Sequence, residues 1–289
     1  MAQWSHLPSA LPVISENDTI ARQSTISQLQ LCGYRVALEG TEGFLPMVSE
    51  QLVFGQGLHY IIARDLEVGE PRFDLLLTMD EWVAEILVEY DWTLDKIPDV
   101  RDFFAEISAA YRSWRTEVQP TLTGELITHE EEMYILLGEG KNGNIFLRGT
   151  ADAVYTDHLI DWKSSAKPWT QSKADLSIQA SLYPALVKQT YNKSIRKFRF
   201  WNYVRTKHEW LYLDTSRTIR EIDSALGSAL AYGKQIEAGT FVPTPVPDAA
   251  FNKARGWYCS AKFCGAWNIC PAKYLNDAKA ESEVAVRSW

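Results

Sequence analysis

Residues 148–163 read RGTADAVYTDHLIDWK, and this stretch decides the fold. Two apolar runs flank a short polar turn, a pattern typical of two strands joined as a hairpin. Because strand side chains alternate between faces, Asp161 and Lys163 share one face while Trp162 packs into the other. The hairpin brings Asp152 alongside Asp161. The stretch therefore predicts two carboxylates and one lysine at a common point of a sheet.

Two carboxylates and a lysine are groups that phosphodiester hydrolysis can use. The reaction needs a divalent cation, a polarised water and a positive charge near the phosphate. An isolated Asp-x-Lys triplet often arises by chance and usually marks an exposed strand end. Here an apolar pair precedes Asp161, and Gly149, three residues before Asp152, permits close backbone approach. We therefore predict a catalytic centre at Asp152, Asp161 and Lys163.

The flanking sequence indicates an α/β sandwich with a mixed sheet flanked by helices. Period-two alternation predicts strands, the first three forming an antiparallel meander, and helical spacing predicts helices. The predicted strands cover 132–137, 143–149, 158–163, 195–204 and 209–213. The predicted helices cover 24–32, parts of 52–114, 172–190 with a kink at Pro184, and 215–238.

Changes in composition suggest four consecutive segments. These are a polar tail at 1–23, an N-terminal helical region at 24–123, a core at 124–240 and a cysteine-bearing C-terminal segment at 241–289. Ser24 is expected to cap the first helix. The acid-rich helix that includes Glu81 is expected to present a solvated face. Pro243, Pro245 and Pro247 should form a stiff linker.

The chain carries a net charge of -8, yet it contains one basic block. Residues 176–208 include no Asp or Glu but seven Lys or Arg residues, which is typical of a local phosphate-binding patch. A solvated strand edge guarded by basic residues explains the block equally well. The candidate nucleic-acid-binding residues are Arg196, Lys197, Arg199 and Arg205.

The N-terminal sequence lacks the basic and apolar regions of a signal peptide, and no apolar run approaches about 18 residues. We therefore expect a cytoplasmic protein with no membrane partner. In that compartment the four cysteines, Cys32, Cys259, Cys264 and Cys270, are expected to be metal ligands or thiols rather than disulfides.

Four ordered motifs resemble those of the RecB-like nucleases of the PD-(D/E)xK superfamily, which share a restriction-endonuclease-like fold. Residues 149–152 (GTAD), 161–163 (DWK) and 179–183 (QASLY) resemble the G-x-x-D, D-x-K and Q-x-x-x-Y motifs of the family. Residues 55–59 (GQGLH) resemble its G-x-x-x-H setting. The resemblance spans about residues 24–270 and is strongest to the CRISPR-associated RecB-like iron-sulfur exonucleases.

The resemblance implies a role for each motif residue. Lys163 would orient or activate the water, while Gln179 and Tyr183 would position Lys163 and the substrate backbone. His59 is otherwise explained as a hydrogen-bonded core histidine. The implied ligands of Mg or Mn are His59, Asp152, Asp161 and the backbone carbonyl of Trp162.

The resemblance also implies a [4Fe-4S] cluster held by Cys32, Cys259, Cys264 and Cys270, because one cysteine precedes the core and three follow it. The spacing departs from the family, which usually has C-x-x-C before the last cysteine. A structural zinc site is therefore the alternative. In both cases the group would tie the N-terminal helix to the C-terminal segment.

The resemblance implies a DNA exonuclease that acts on single-stranded ends in recombination, repair, phage replication or CRISPR spacer processing. A catalytically idle nucleic-acid-binding or scaffold subunit that retains the fold is the alternative from another class. The intact set of Asp152, Asp161 and Lys163 argues against it, since a binding module has no need for an acidic pair facing a phosphate.

Overall fold

A computed structural model of the chain describes residues 3, 4, 7, 13–44, 49–68, 99–241, 259 and 263–271. The acid-rich helix expected around Glu81 and the proline linker lie outside these residues. Within the described residues, no helix combines the length and the apolar character needed to cross a membrane.

The described chain contains six strands and seven α-helices, with four helices between the first two strands. The strands are β1 (Thr19–Arg22), β2 (Leu126–Glu139), β3 (Asn144–Tyr155), β4 (Leu159–Ser165), β5 (Lys197–Val204) and β6 (Glu209–Ser216). The α-helices are α1 (Gln23–Leu31), α2 (Gly33–Leu38), α3 (Glu50–Val68), α4 (Val100–Ser113), α5 (Gln171–Asp175), α6 (Gln179–Tyr191) and α7 (Ile219–Ala238). A π-helical turn (Trp114–Val118) and a 3-10 turn (Gln119–Thr121) follow α4.

The described strands form a six-stranded mixed sheet in the order β1-β3-β4-β5-β6, with β2 also pairing with β3. Strands β3 and β4 form the expected antiparallel hairpin, in which Ala153 pairs with Ile160. The next position along each strand is Asp152 and Asp161, so the hairpin brings the two carboxylates together. Strand β5 runs parallel to β4, and β6 is antiparallel to β5. The predicted mixed sheet flanked by helices is confirmed.

Several local predictions need correction. Thr19–Arg22 form β1 within the stretch expected to be a tail. Helix α1 begins at Gln23 with Arg22 at its cap, so Ser24 does not cap it. The helix expected over 172–190 is two helices, separated by residues 176–178. Local sequence predicts helical spacing but does not locate such breaks reliably.

Strand β5 is a central strand that alternates only at its start, where Lys197 is exposed and Arg199 is half-buried. It lies between β4 and β6, and every residue from Phe200 to Val204 is buried. A strand covered on both faces carries a continuous apolar run rather than an alternating one. Because β5 lies between two other strands, it is not the solvated edge strand that the sequence analysis gave as the other explanation of the basic block.

The described fold divides into two units, each assembled from three separate stretches. The first consists of Met1–Ile14, Val48–Leu137 and Arg148–Ser228, and the second of Ser15–Met47, Gly138–Leu147 and Ala229–Trp289. The four consecutive segments suggested by composition stay a prediction, because composition does not record which distant stretches meet.

The core of the first unit packs around Trp162. Its ring makes edge-on contacts with Trp114 and Trp210, at centroid distances of 5.8 and 6.4 Å. Phe54 and Ile62 of α3 are fully buried in the same cluster. The prediction that Trp162 packs on the face opposite Asp161 and Lys163 is therefore supported by its contacts, and this packing fixes the orientation of β4.

Gly149 lies where α6 crosses β3. A Cβ atom at this position would lie 2.7 Å from Cε1 of Tyr183 and 2.8 Å from Cδ1 of Leu186. Both side chains are buried. Only glycine therefore permits this approach, as the sequence suggested.

Replacing Gly149 with alanine should lower the free energy of unfolding by about 1–3 kcal/mol, because the added methyl group overpacks a buried contact. Denaturant unfolding followed by circular dichroism measures this loss. In a Leu186→Ala background the same change should cost less, since one of the two obstructing side chains is shortened. An equal cost in both backgrounds would contradict the steric explanation.

Candidate metal centre

Close contact between α3 and β4 places His59 at the sheet. A Cβ atom on Gly55 would lie 3.1 Å from Oγ of Ser164, so glycine lets the helix approach the strand. Nε2 of Gln51 donates to the same Ser164 hydroxyl at 3.0 Å. One turn after Gly55, Nε2 of His59 lies 2.5 Å from the carbonyl oxygen of Trp162. The imidazole and the carbonyl, both expected to be metal ligands, are therefore in direct contact.

Asp152 joins His59 from β3. Nδ1 of His59 lies 3.4 Å from Oδ2 of Asp152, and the backbone N–H of Trp162 donates to the same oxygen at 2.6 Å. Burial lowers the pKa of His59, but the charge of Asp152, its hydrogen bond to His59 and the charge of Asp161 together raise that pKa to about 9. Burial likewise raises the pKa of Asp152, but His59 reverses the effect and lowers it. The two side chains therefore form an ion pair between a half-buried histidine and a buried carboxylate.

Asp161 and Lys163 face the same side, as strand alternation predicts. Nζ of Lys163 contacts Oδ2 of Asp161, and Nε2 of Gln179 donates to Oδ1. Burial raises the pKa of Asp161 to about 6, although Lys163 opposes this rise. Burial also lowers the pKa of Lys163, but Asp161 outweighs it, so that pKa is raised. The lysine is therefore charged and held beside the carboxylate.

Of the two motif residues on α6, one contacts a carboxylate and the other contacts the backbone of β3. Gln179 binds Asp161 directly, and the hydroxyl of Tyr183 donates to the carbonyl oxygen of Thr150 at 2.7 Å. Thr150 lies two residues before Asp152 on β3. The contacts therefore fit a role in positioning the two acidic strands, which differs from the expected contact with Lys163.

Glu130 is a residue of this site that the sequence analysis did not predict. One ligand atom each from His59, Glu130 and Asp152 lies within 4.8 Å of the other two. The side chain of Glu130 is exposed at the surface, but the protein around its carboxylate partly desolvates it. This desolvation raises the pKa of Glu130 to about 7, and the charge of Asp152 adds to the rise. Three consecutive glutamates at 130–132 were a signal, but nothing local indicated which of them turns inward.

The donor set fits a hard divalent cation. Carboxylate and carbonyl oxygens suit Mg²⁺ and Mn²⁺, and imidazole is a common ligand of transition metals. The site opens into a cavity of about 840 Å³. Its walls come from α3, β2 and β4, and they include Gln56, Tyr60, His129 and Lys163. The cavity gives a substrate access to His59 and Lys163, which contact the two buried aspartates.

The four candidate nucleic-acid-binding residues do not form one free basic patch. Arg199 is bound by Asp214 through two contacts of 2.5 and 2.7 Å. Arg205 is bound by Glu50 and Glu106, at 2.7 and 2.6 Å. The carboxylate partners neutralise both guanidinium groups. Arg196 and Lys197 line a separate cavity of about 410 Å³ beside Asp157.

The cysteines lie in the second unit, and none of the four forms a disulfide. Burial raises the pKa of the Cys264 thiol, Arg35 opposes that rise, and Cys32 and Cys270 add to it. A Cβ atom on Gly43 would lie 2.7 Å from Cγ2 of Ile269. The stretch that follows α1 is therefore adjacent to the C-terminal cysteine segment within this unit.

A half-buried histidine on α3 meets two buried carboxylates and a lysine of the mixed sheet, beside an open cavity that the histidine and the lysine line. This arrangement is typical of a metal-dependent nuclease. The sequence model of the PD-(D/E)XK nuclease superfamily matches residues 23–271. The chain therefore belongs to the PD-(D/E)XK nuclease superfamily, whose members hydrolyse phosphodiester bonds of nucleic acids with a divalent metal.

Two solved structures match the chain at low identity. The crystal structure of SSO0001 aligns over 91% of this chain and 89% of its own, with 15% identity and a TM-score of 0.39. The crystal structure of Scheffersomyces stipitis Rai1 aligns over 73% of this chain and 65% of its own, with 9% identity and a TM-score of 0.20. A search of curated proteins finds no significant match.

Proposed function

We propose that this nuclease is a Mg²⁺- or Mn²⁺-dependent DNA exonuclease of the RecB-like group that acts on single-stranded ends. The observation that carries the proposal is the pairing of Asp152 with His59 and of Asp161 with Lys163, because both basic partners line one cavity. The four ordered motifs shared with RecB-like nucleases support the choice of group. The preference for DNA ends rests on that resemblance.

In this proposal the cation is held by His59, Asp152, Asp161 and the carbonyl oxygen of Trp162. When bound, it would neutralise charge on the phosphate and polarise a water molecule. Trp162 is held by the aromatic core, and its N–H fixes one oxygen of Asp152. The ligands are thus oriented by packed, buried contacts before a substrate arrives, which keeps the reorganisation cost low.

Lys163 supplies the positive charge of the site. Its contact with Asp161 keeps the ammonium at the cavity wall, where it can orient the water and stabilise negative charge on the phosphate. Gln179 holds the other oxygen of Asp161, and Tyr183 holds β3 through Thr150. These two side chains are positioning residues, since they act through the carboxylates.

The cavity is large enough for part of a single strand. Its volume of about 840 Å³ can hold a short piece of one strand between α3 and β2, whereas a duplex would have to lie across its mouth. Because Arg199 and Arg205 are already paired with carboxylates, the backbone contacts are expected to come from the cavity wall rather than from the basic block.

The second unit supports a [4Fe-4S] cluster as a further cofactor. Thiolates are the usual ligands of such clusters, and the charges of Cys32 and Cys270 already act on Cys264. Arg35 lies close enough to lower the pKa of the same thiol. A structural zinc site remains the alternative. In either case the role is structural, because the cysteines lie in the second unit and the carboxylates in the first.

Cleavage of labelled DNA tests the proposed function. We expect linear single strands, labelled at the 5′ or the 3′ end, to be degraded with Mn²⁺ or Mg²⁺ and to stay intact with EDTA. A closed circular single strand should survive. The Asp161→Asn variant, purified in the same way, controls for contaminating nucleases and should be inactive.

Two other results would contradict this function. Cleavage of the circular substrate would identify an endonuclease. Tight binding of linear DNA with no cleavage in either metal would instead favour the idle scaffold subunit.

A further inference from the structure

Glu130 faces the candidate metal centre from β2, on the wall of the cavity opposite α3. Its two acidic neighbours point elsewhere. Glu131 binds Thr128 and Tyr191, and Glu132 binds Arg148. Of the three consecutive glutamates, Glu130 is therefore the one whose carboxylate groups with His59 and Asp152.

The backbone at Glu130 has an unusual conformation. Its φ angle is 45°, in the left-handed region that residues other than glycine and asparagine rarely adopt. Asn192 has a similar φ of 55°, but it caps the C-terminus of α6, a common place for this conformation. Glu130 lies inside a strand, where no cap requires it. Such strain persists where the surroundings hold it, and it concentrates at functional sites.

The other two carboxylates of the site each have a basic partner. Asp161 is paired with Lys163, and Asp152 is paired with His59. Glu130 adds a third carboxylate within reach of the same histidine. A cation that displaces the proton of His59 would find a neutral imidazole and three carboxylates, a set that suits a divalent metal.

We propose that Glu130 is a further ligand side chain of the metal centre and helps to hold the cation in the free protein, before nucleic acid binds. The inference rests on the proposed function, since it concerns the same cation. It adds a ligand from β2 to those from α3, β3 and β4. The cation would then connect both walls of the cavity.

Mn²⁺ titration without DNA tests this inference, by calorimetry and by the electron paramagnetic resonance of free Mn²⁺. Glu130→Gln should weaken Mn²⁺ binding by roughly tenfold to a hundredfold, comparable to the loss of other supporting groups around a metal. Glu131→Gln removes the same charge one residue away, and it should leave the affinity within about twofold, since that side chain points away. His59→Ala should also weaken binding.

The outcomes separate the inference from the proposed function. Wild-type-like Mn²⁺ affinity in Glu130→Gln, together with weak binding in His59→Ala, would overturn the role of Glu130 and leave the metal centre in place. A wild-type protein that binds no Mn²⁺ would overturn both.

A second variant separates metal binding from folding. Asparagine tolerates the left-handed conformation but is too short to replace the glutamate carboxylate. Glu130→Asn should therefore keep or raise the Tm measured with EDTA, while losing most of the rise in Tm that Mn²⁺ gives the wild type. A full Mn²⁺-induced rise in this variant would refute the ligand role.

Discussion

Replacing Lys163 with methionine should reduce DNA cleavage by about 10³-fold, which is the scale of losing a charge-stabilising group in an active site. The ammonium contacts Oδ2 of Asp161 and lines the cavity that leads to the metal centre. Methionine keeps the length and the packing of the side chain but removes the charge. Initial rates on end-labelled single strands with saturating Mn²⁺ measure the effect.

Lys207 offers a matched control. It also forms a pair with a carboxylate, with Nζ 3.1 Å from Glu209, but it lies at the turn between β5 and β6. Lys207→Met should cleave at close to the wild-type rate. Near-normal cleavage by Lys163→Met would show that the lysine does not act at the phosphate.

The Lys163→Met protein should also show a specific dependence of stability on pH. Burial raises the pKa of Asp161 to about 6, and the Lys163 charge limits this rise. A carboxyl group whose pKa is higher in the folded state stabilises the fold at low pH, and this stabilisation is lost as pH rises through the folded pKa. Removing Lys163 raises the folded pKa further, so the variant should lose stability relative to the wild type above about pH 6. Thermal melts at pH 5.5 and 8 measure this difference.

The sequence predicted the centre of the fold because the decisive contacts there are local. The hairpin of β3 and β4 is short, and alternation alone places Asp161 and Lys163 on one face. The same alternation places the side chain of Trp162 on the opposite face, in the core. Gly149 was informative for a similar reason, since a glycine in a strand marks a close approach whichever element makes it.

The predictions that failed depend on distant parts of the chain. Whether β5 is an edge or a central strand is decided by its pairing with β4 and β6, and alternation in residues 195–199 does not reveal this. Glu130 was missed because a positive φ at a glutamate has no signature in the sequence. The carboxylate partners of Arg199 and Arg205 likewise come from β6, α3 and α4.

The cysteines show the opposite case, in which the residue count predicts a long-range contact. Three cysteines near one end of the chain and one near the other suggested that the two ends meet. In the second unit, Cys32 and Cys270 both influence Cys264, and residues 43 and 269 are neighbours. Which metal the thiols bind is a separate question, because four thiolates suit both zinc and iron-sulfur clusters.

Loss of any one of these cysteines should remove the cluster and loosen the second unit. Protein purified without oxygen should be brown and contain about four irons per chain if the cluster is of the [4Fe-4S] type. Cys32→Ser should lose this colour as completely as Cys264→Ser, although the two positions are far apart in the sequence. The Tm of both variants should fall substantially, because the thiols close a very long loop and metal binding is coupled to folding.

Ser24→Ala on α1 is the control for these variants, because its side chain is exposed and does not cap the helix. It should keep the colour, the iron content and the Tm of the wild type. A colourless protein with one zinc per chain would rule out the iron-sulfur cluster. It would still agree with a metal that joins α1 to the C-terminal cysteine segment. A Cys32→Ser protein with unchanged metal content and Tm would rule out the tie itself, since the N-terminal thiol would then take no part in joining α1 to the C-terminal segment.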